Sequence, residues 1–375
     1  MTHDTATPWT AATLAAALRA RREHTLALFR QLQAAIGANA LPRYLPELSP
    51  PLWDLGHLAW FEGWWTSRHP GLMAGSFDAE GPRAGVALLP KADAWFDDRR
   101  INHPARWNQP LPSTAVLLDW ARRTREQTLA LLPAASRRPA ALALFERVLA
   151  AEEKLHEDWL AIAQTLGIDP GQAADDPNPT PAEPTPDPLA SIDATPVTWA
   201  RYLPFVEAGG YAEREFWTAE GWDWRKRTGL VRPRHLAEPQ DGEPLRRARF
   251  GQWVRLDLAM PAVHLSAHEA QAWCRWAGRR LPTASEWQAA QQGASGFIWG
   301  EVWEWVRGDA AHSDAASTAA NTDEADAPTL SPTAAMPQLI GASFATAARR
   351  RTVPADRAMP ADRNDGFWGF RSAAV

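Results

Sequence analysis

Glu152 and His156 stand four residues apart in "PAALALFERVLAAEEKLHEDWLAIAQTLGI", and together they could hold a metal ion. Phe145, Leu149, Glu152, His156, Leu160 and Ala163 follow one another by steps of 4, 3, 4, 4 and 3. On a helix those steps keep one face, so the carboxylate and the imidazole point where the apolar residues point. An inward glutamate is costly unless it is paired, protonated or bound to a metal, and an inward histidine makes a similar demand. A third group of this kind is His57, set among four tryptophans in "SPPLWDLGHLAWFEGWW", residues 49 to 65. Two imidazoles and one carboxylate from facing helices, with coordination positions left open, make a ligand set suited to non-haem Fe(II) and oxygen. Plainer readings stand beside this one. His57 can be a hydrogen-bonded core residue, and Glu152 can pair with Arg147 or turn to a solvated face near Lys154.

The elements that must position these residues are legible from periodicity. Leu14, Leu18, Leu28, Leu32 and Ile36 mark an amphipathic helix over Ala11 to Ile36. Ser49 followed by Pro50 and Pro51 starts a second helix that runs to about Ser67 and carries His57 well inside it. Ser113 opens a third, and the segment with Glu152 and His156 forms a fourth that ends before Pro170. Four helices with a long crossover predict a bundle. Residues 169–190, rich in proline and acid, read as a semi-extended linker between a first domain at 1–168 and a second at 191–375. In the second, short strands, turns and two capping boxes, Ser266 to Glu269 and Thr283 to Glu286, predict a mixed domain with short helices. Residues 307–336, poor in large apolar side chains, read as a mobile loop.

Composition sets the outer limits. The chain has 375 residues, 45% hydrophobic and 22% charged, with a formal net charge of −5. That balance predicts two globular domains and speaks against a nucleic-acid partner, which would call for a basic surface. The absence of a signal-like start and of long apolar runs predicts neither secretion nor membrane insertion. Cys274 is the single cysteine, so no intramolecular disulfide and no two-thiolate site can form, which suits a reducing, cytoplasmic setting. The 21 tryptophans are far more than a chain usually carries, against 3 tyrosines.

A family resemblance enters through specific segments. "PPLWDLGHLAWF", "ADAWFDDRRINHPARWNQPLP" and "LHEDWLAIAQTLG" resemble the N-terminal DinB-like bundle of ergothioneine sulfoxide synthases, and most closely that of selenoneine synthases. "FVEAGGYAEREFWTAEGWDWR", "PAVHLSAHEAQAWCRWAGRRLPTASEWQAA", "EVWEWV" and the terminal "GFWGFR" are similar to the formylglycine-generating-enzyme-like domain that follows it there, a C-type-lectin-like fold. The resemblance thus implies an α+β chain: a DinB-like four-helix bundle, then a mixed sulfatase-modifying-factor-type domain.

It also implies a chemistry. Family members hold Fe(II) with three histidines, one in the "LGH" helix and two in an H-x-x-x-H-x-E run. His57 matches the first and His156 the last, while Glu152 stands at the middle position and Asp158 at the acidic one. A carboxylate is a competent iron ligand, so the expected set here is His57, Glu152 and His156. Arg106, in "HPARWNQPLP", and Arg363, in the closing pattern, are carried over as substrate-binding candidates, and Arg371 as a structural arginine. The implied reaction is oxygen-dependent joining of a thiol or selenol donor to the imidazole ring of hercynine. All three tyrosines, Tyr44, Tyr202 and Tyr211, precede "VWEW", so the family's acid tyrosine has no counterpart. A different reading treats the chain as a divergent, metal-free or zinc-bound paralogue that binds a small molecule or a protein partner. A formylglycine-generating enzyme proper needs two cysteines, which one Cys274 cannot supply.

Overall fold

The computed structural model describes residues 9–37, 39–69, 87–171, 191–293, 296–308 and 337–375. The predicted linker, from 172 on, and most of the predicted mobile loop, from 309 on, lie outside the described residues. The chain is α+β and divides into two compact units, one holding residues 9–163 and 168–171, the other residues 164–167 and the described chain from 191 on. Among the described residues no helix is long and apolar enough to cross a membrane.

The first unit is helical. α1 spans Ala11–Ile36 and opens on a reciprocal capping box between Thr10 and Thr13. α2 spans Pro51–Gly63 and runs directly into a π-helical turn, Trp64–Arg68, so the predicted stop near Ser67 is met by a change of helix type. Its N-cap is Pro50, and Ser49, the expected cap, instead donates its hydroxyl to Asp54 at 2.5 Å. A short helix, α3, spans Ala92–Phe96; α4 spans Thr114–Ala135 and α5 spans Pro139–Leu166. Leu14 and Leu18 of α1, Trp64 and Trp65 after α2, Leu132 of α4 and Phe145, Val148 and Leu149 of α5 share one buried core. The whole inward series on α5 is buried, Glu152 and His156 included, as its periodicity predicts.

The second unit mixes short elements. α6 spans Trp199–Glu207 and α7 spans Ala219–Thr228. Strands β1, Arg246–Arg249, and β2, Gln252–Arg255, form an antiparallel hairpin. α8, Ala267–Trp276, and α9, Ala284–Gly293, begin at the two predicted capping boxes: Ser266 and Glu269 exchange bonds at 3.2 and 2.8 Å, Thr283 and Glu286 at 3.1 and 2.8 Å. β3, Trp303–Val306, β4, Gln338–Gly341, β5, Ala355–Ala358, and β6, Trp368–Gly369, form a sheet in the order β5-β4-β3-β6. Only the β3–β6 pairing is parallel. Arg371, fully buried, clamps this unit: it forks onto Glu304 of β3 at 2.5 and 2.8 Å and reaches the carbonyls of Asp193, Ala194 and Ile298. The structural role expected for Arg371 is the one it has.

Gly56 shows how closely α2 packs. A Cβ there would lie 2.2 Å from Phe96 Cε1, inside the aromatic ring's own space. Alanine gains helix propensity at such a position but forces the core apart, which costs about 1–3 kcal/mol. The Gly56→Ala variant is therefore expected to unfold at lower urea concentration than the wild type; an unchanged midpoint would show that Phe96 can yield.

Candidate functional site

α2 presents a ladder of rings. Trp53, His57, Trp60 and Trp64 recur at spacings of 4, 3 and 4 and therefore lie along one face. Trp53 and His57 stack with centroids 5.0 Å apart, His57 and Trp60 at 5.6 Å, and Trp60 and Trp64 at 6.4 Å. The α3 segment straps this ladder through polar contacts. Trp53 Nε1 donates to the Trp95 carbonyl at 2.8 Å, His57 Nδ1 to the Phe96 carbonyl at 2.8 Å, and Trp60 Nε1 to Asp93 Oδ1 at 2.7 Å. The bond to the Phe96 carbonyl places the His57 proton on Nδ1 and leaves Nε2 of the neutral ring with a lone pair, the arrangement that typically orients a metal-binding histidine. The same bond is what the plainer reading of a hydrogen-bonded histidine calls for.

Arg106 is buried and lies 4.2 Å over the Trp53 ring. Next to it on α2, Asp54 is buried and accepts hydrogen bonds from Ser49 and, at 2.9 Å, from Trp159 Nε1. Burial raises the Asp54 carboxyl, opposed by these bonds and by the charges of Arg106 and His57. A cavity of about 30 Å³, lined by Trp60, Gly63, Arg68, Leu88, Trp120 and Thr124, is room for little more than water.

Glu152 departs from the expected ligand set. It is fully buried, but its partners are arginines: Arg22 Nε donates to Oε1 at 2.7 Å, and Arg125 Nη2 to Oε2 at 2.5 Å. The same two guanidiniums bind Glu62, Arg22 through Nη2 at 2.7 Å and Arg125 through Nε at 2.6 Å. Arg22 also donates to the Ala121 carbonyl and Arg125 to the Leu18 carbonyl. Each of α1, α2, α4 and α5 thus contributes one charge to a buried quartet whose formal charges cancel.

Burial would push the Glu152 carboxyl up, but Arg22 and Arg125 outweigh it and hold it down at about 2. A carboxylate with both oxygens engaged by guanidiniums has no free edge for a metal ion. Among the described residues no group of three His, Cys, Asp or Glu side chains is arranged to hold one. The three-residue set His57, Glu152 and His156 therefore does not fit Fe(II), and the correction falls on Glu152. Glu152 is paired, as the plainer reading allowed, but with Arg22 and Arg125 in place of Arg147, whose guanidinium lies over the Trp65 ring at 4.3 Å. Asp158 is exposed and pairs with Lys154 at 2.7 Å.

In the second unit Arg363 forks onto Asp365 at 2.6 and 2.7 Å and keeps 29% of its side chain exposed. Tyr202, Tyr211 and Glu269 form a buried chain, with Tyr211 donating to Glu269 at 2.6 Å; burial raises both phenols well above their ordinary range. Cys274 is buried and free, and burial raises its thiol.

Sequence reasoning missed Arg22, Glu62 and Arg125. Their signal was present: Arg22 continues the stripe Leu14, Leu18, Arg22, Thr25, Phe29, and Arg125 the stripe Leu117, Ala121, Arg125, Thr128, Leu132, all buried. A charged residue in register with an apolar stripe calls for a buried partner of opposite sign.

Most of a family match falls in the second unit. Residues 156–301 match the family described as "Sulfatase-modifying factor enzyme 1-like domain". Over 312 residues the chain is 28% identical to a hercynine oxygenase of Mycolicibacterium smegmatis, a match covering 74% of this chain and 68% of the relative. With a hercynine oxygenase of Mycobacterium tuberculosis the identity is 29% over 286 residues, 66% of this chain and 63% of the relative, so the chain spans less than two thirds of that relative's length. An inactive C-alpha-formylglycine-generating enzyme 2 from mouse is 35% identical over 127 residues, 31% of this chain and 39% of its own. By sequence the chain is similar to hercynine oxygenases over most of its length and to the sulfatase-modifying-factor family over residues 156–301.

Breaking the quartet should be costly. Arg125→Met leaves Glu62 and Glu152 sharing one guanidinium, and removing one partner of a buried ion pair costs about 3–5 kcal/mol. Urea unfolding of the variant should show that loss, and a loss below about 1 kcal/mol would mean that water reaches the cluster. The quartet also predicts acid lability. The Glu152 carboxyl is held below its ordinary 4.5, so its stabilising contribution is complete above that pH and is lost as pH falls towards 2. The urea midpoint should fall over that window in the wild type and less steeply in Glu152→Gln.

Proposed function

We propose that this chain is an oxidoreductase of the hercynine oxygenase type, which joins a sulfur or selenium donor to the imidazole ring of hercynine with consumption of O2. The observation that carries the reading is the similarity to hercynine oxygenases, which extends over 312 residues and so involves both units. Support of a different kind comes from His57, whose ring is fixed by the Phe96 carbonyl with Nε2 left as an acceptor. Fe(II), when bound, would supply the activation of oxygen. Because Glu152 is committed to Arg22 and Arg125, no step is assigned to a metal held by His57, Glu152 and His156.

The roles proposed for the chain's own groups are those of holding and excluding. The Trp53–His57–Trp60–Trp64 ladder keeps the His57 ring in one orientation. Arg106, over Trp53, is the group proposed to bind the carboxylate of hercynine, since guanidinium and carboxylate match in charge and geometry. Arg363, partly exposed, is proposed for the charged end of a thiol or selenol donor. No nucleic acid or membrane takes part, and the setting proposed is cytoplasmic.

The Glu152 quartet favours a second reading. In it the chain keeps the fold as a binding module, metal-free or zinc-bound, for a small molecule of the same class or for a protein partner. The two readings differ in turnover. Protein supplied with Fe(II), hercynine, O2 and a thiol or a selenol donor should consume hercynine and yield a product whose mass carries the added sulfur or selenium. Arg106→Gln should raise the KM for hercynine by tenfold or more, as loss of a charged contact predicts. Binding of hercynine by calorimetry without any consumption would favour the module, and the absence of both would reject both readings.

A further inference from the structure

His235 and His264 meet in the second unit with their ring centroids 4.8 Å apart. His264 is buried and hydrogen-bonds the Gly366 backbone, and its Nδ1 has no hydrogen-bond partner. His235 Nε2, also shielded from solvent, has none either. Two buried ring nitrogens without a partner, side by side, ask for a ligand or for water. Both histidines also adopt left-handed backbone, with φ of 67° and 64°.

The surroundings decide the sign of that ligand. Arg247 lies on β1, and the hairpin binds the His235 segment through Ala248 N–H to the His235 carbonyl at 2.8 Å and a bridge between Leu236 and Arg247. Arg234 precedes His235 and donates to Asn364 Oδ1 at 3.2 Å. Neither Arg234 nor Arg247 forms an ion pair among the described residues. After burial, the charges of Arg234 and Arg247 disfavour the protonated form of His235, and those of His235, Arg247 and Arg234 disfavour that of His264. The carboxylate that bears on Arg247 is Asp257, which accepts from Ala259 N–H at 3.0 Å. A metal cation would therefore meet two guanidiniums with no carboxylate ion-paired to either. An oxyanion would meet two guanidinium forks that match it in charge and geometry.

We propose that Arg234, His235, Arg247 and His264 form a binding site for a doubly charged oxyanion of the phosphate class, either inorganic phosphate or a phosphate monoester. Two guanidiniums without an ion pair balance two negative charges, and their several N–H groups match the oxygens of such a group beside the two ring nitrogens. The site uses neither Arg106 nor any member of the Glu152 quartet and does not rest on the oxidoreductase reading.

The test is calorimetric titration of the full chain with inorganic phosphate at ionic strength held constant with sodium chloride. One saturable site per chain is expected, with sulfate competing and acetate binding at least tenfold more weakly. Arg247→Gln should weaken phosphate binding by tenfold or more. Arg234→Gln should do the same and carries the test if Arg247→Gln does not fold. Absence of saturable binding, or phosphate binding unchanged in the folded variants, would overturn the proposal and leave the two ring nitrogens to a buried water. Glucose 6-phosphate used as a monoester probe then separates the two sources: binding tighter than inorganic phosphate assigns the site to a monoester, weaker binding to the free ion.

Discussion

Four charges, one from each long helix of the first unit, meet where water does not reach. Arg22 and Arg125 lie between Glu62 and Glu152, and every ion pair among them closes at 2.5 to 2.7 Å. None of these side chains could be buried alone, because an isolated charge in an apolar interior is costlier than any single contact can offset. Each therefore needs the others, and the need is geometric: α1, α2, α4 and α5 can be shifted or rotated only by breaking a charge-assisted bond. The apolar core around Leu18, Phe145 and Leu149 supplies the bulk of the driving force, and the quartet fixes which packing of those helices is adopted.

The same constraint separates the two inward residues of α5. Glu152 is drawn into the quartet, while His156, one turn on, stays with the face that continues to Leu160 and Ala163. On α2, Glu62 turns to the quartet while Trp53, His57, Trp60 and Trp64 line another face, the first three donating hydrogen bonds to the α3 segment. Glu62 and His57 are five residues apart, about 140° around a helix from one another. One helix thereby serves two neighbours, and the chemistry available at His57 is set by the Phe96 carbonyl. The second unit repeats the device on a smaller scale, with Arg371 and Glu304 as its buried pair.

How far the sequence discloses this depends on the kind of signal. Two of the four long helices show in the 3.6-residue recurrence of Leu14 to Ile36 and of Phe145 to Ala163, the other two in the start signals at Ser49 and Ser113, and the starts of α8 and α9 show in the pairs Ser266–Glu269 and Thr283–Glu286, because a capping box is a local bond. The inward direction of Glu152 was equally legible. Its partner was not: Arg22 is 130 residues and Arg125 27 residues away, and nothing local distinguishes an arginine facing a carboxylate from one facing solvent except its register with Leu18 or Ala121. The strap of α3 over His57 was hidden for a related reason, since two of its three bonds use backbone carbonyls, which no residue type announces.

Glu152 holds the helices together through Arg22 and Arg125 and does not ligate a metal. Anaerobic Fe(II) titration and urea unfolding of wild type and Glu152→Gln, side by side, test it most directly. The variant is expected to lose stability while its iron stoichiometry equals that of the wild type. Iron bound by the wild type and lost by Glu152→Gln, with the unfolding midpoint unmoved, would contradict it.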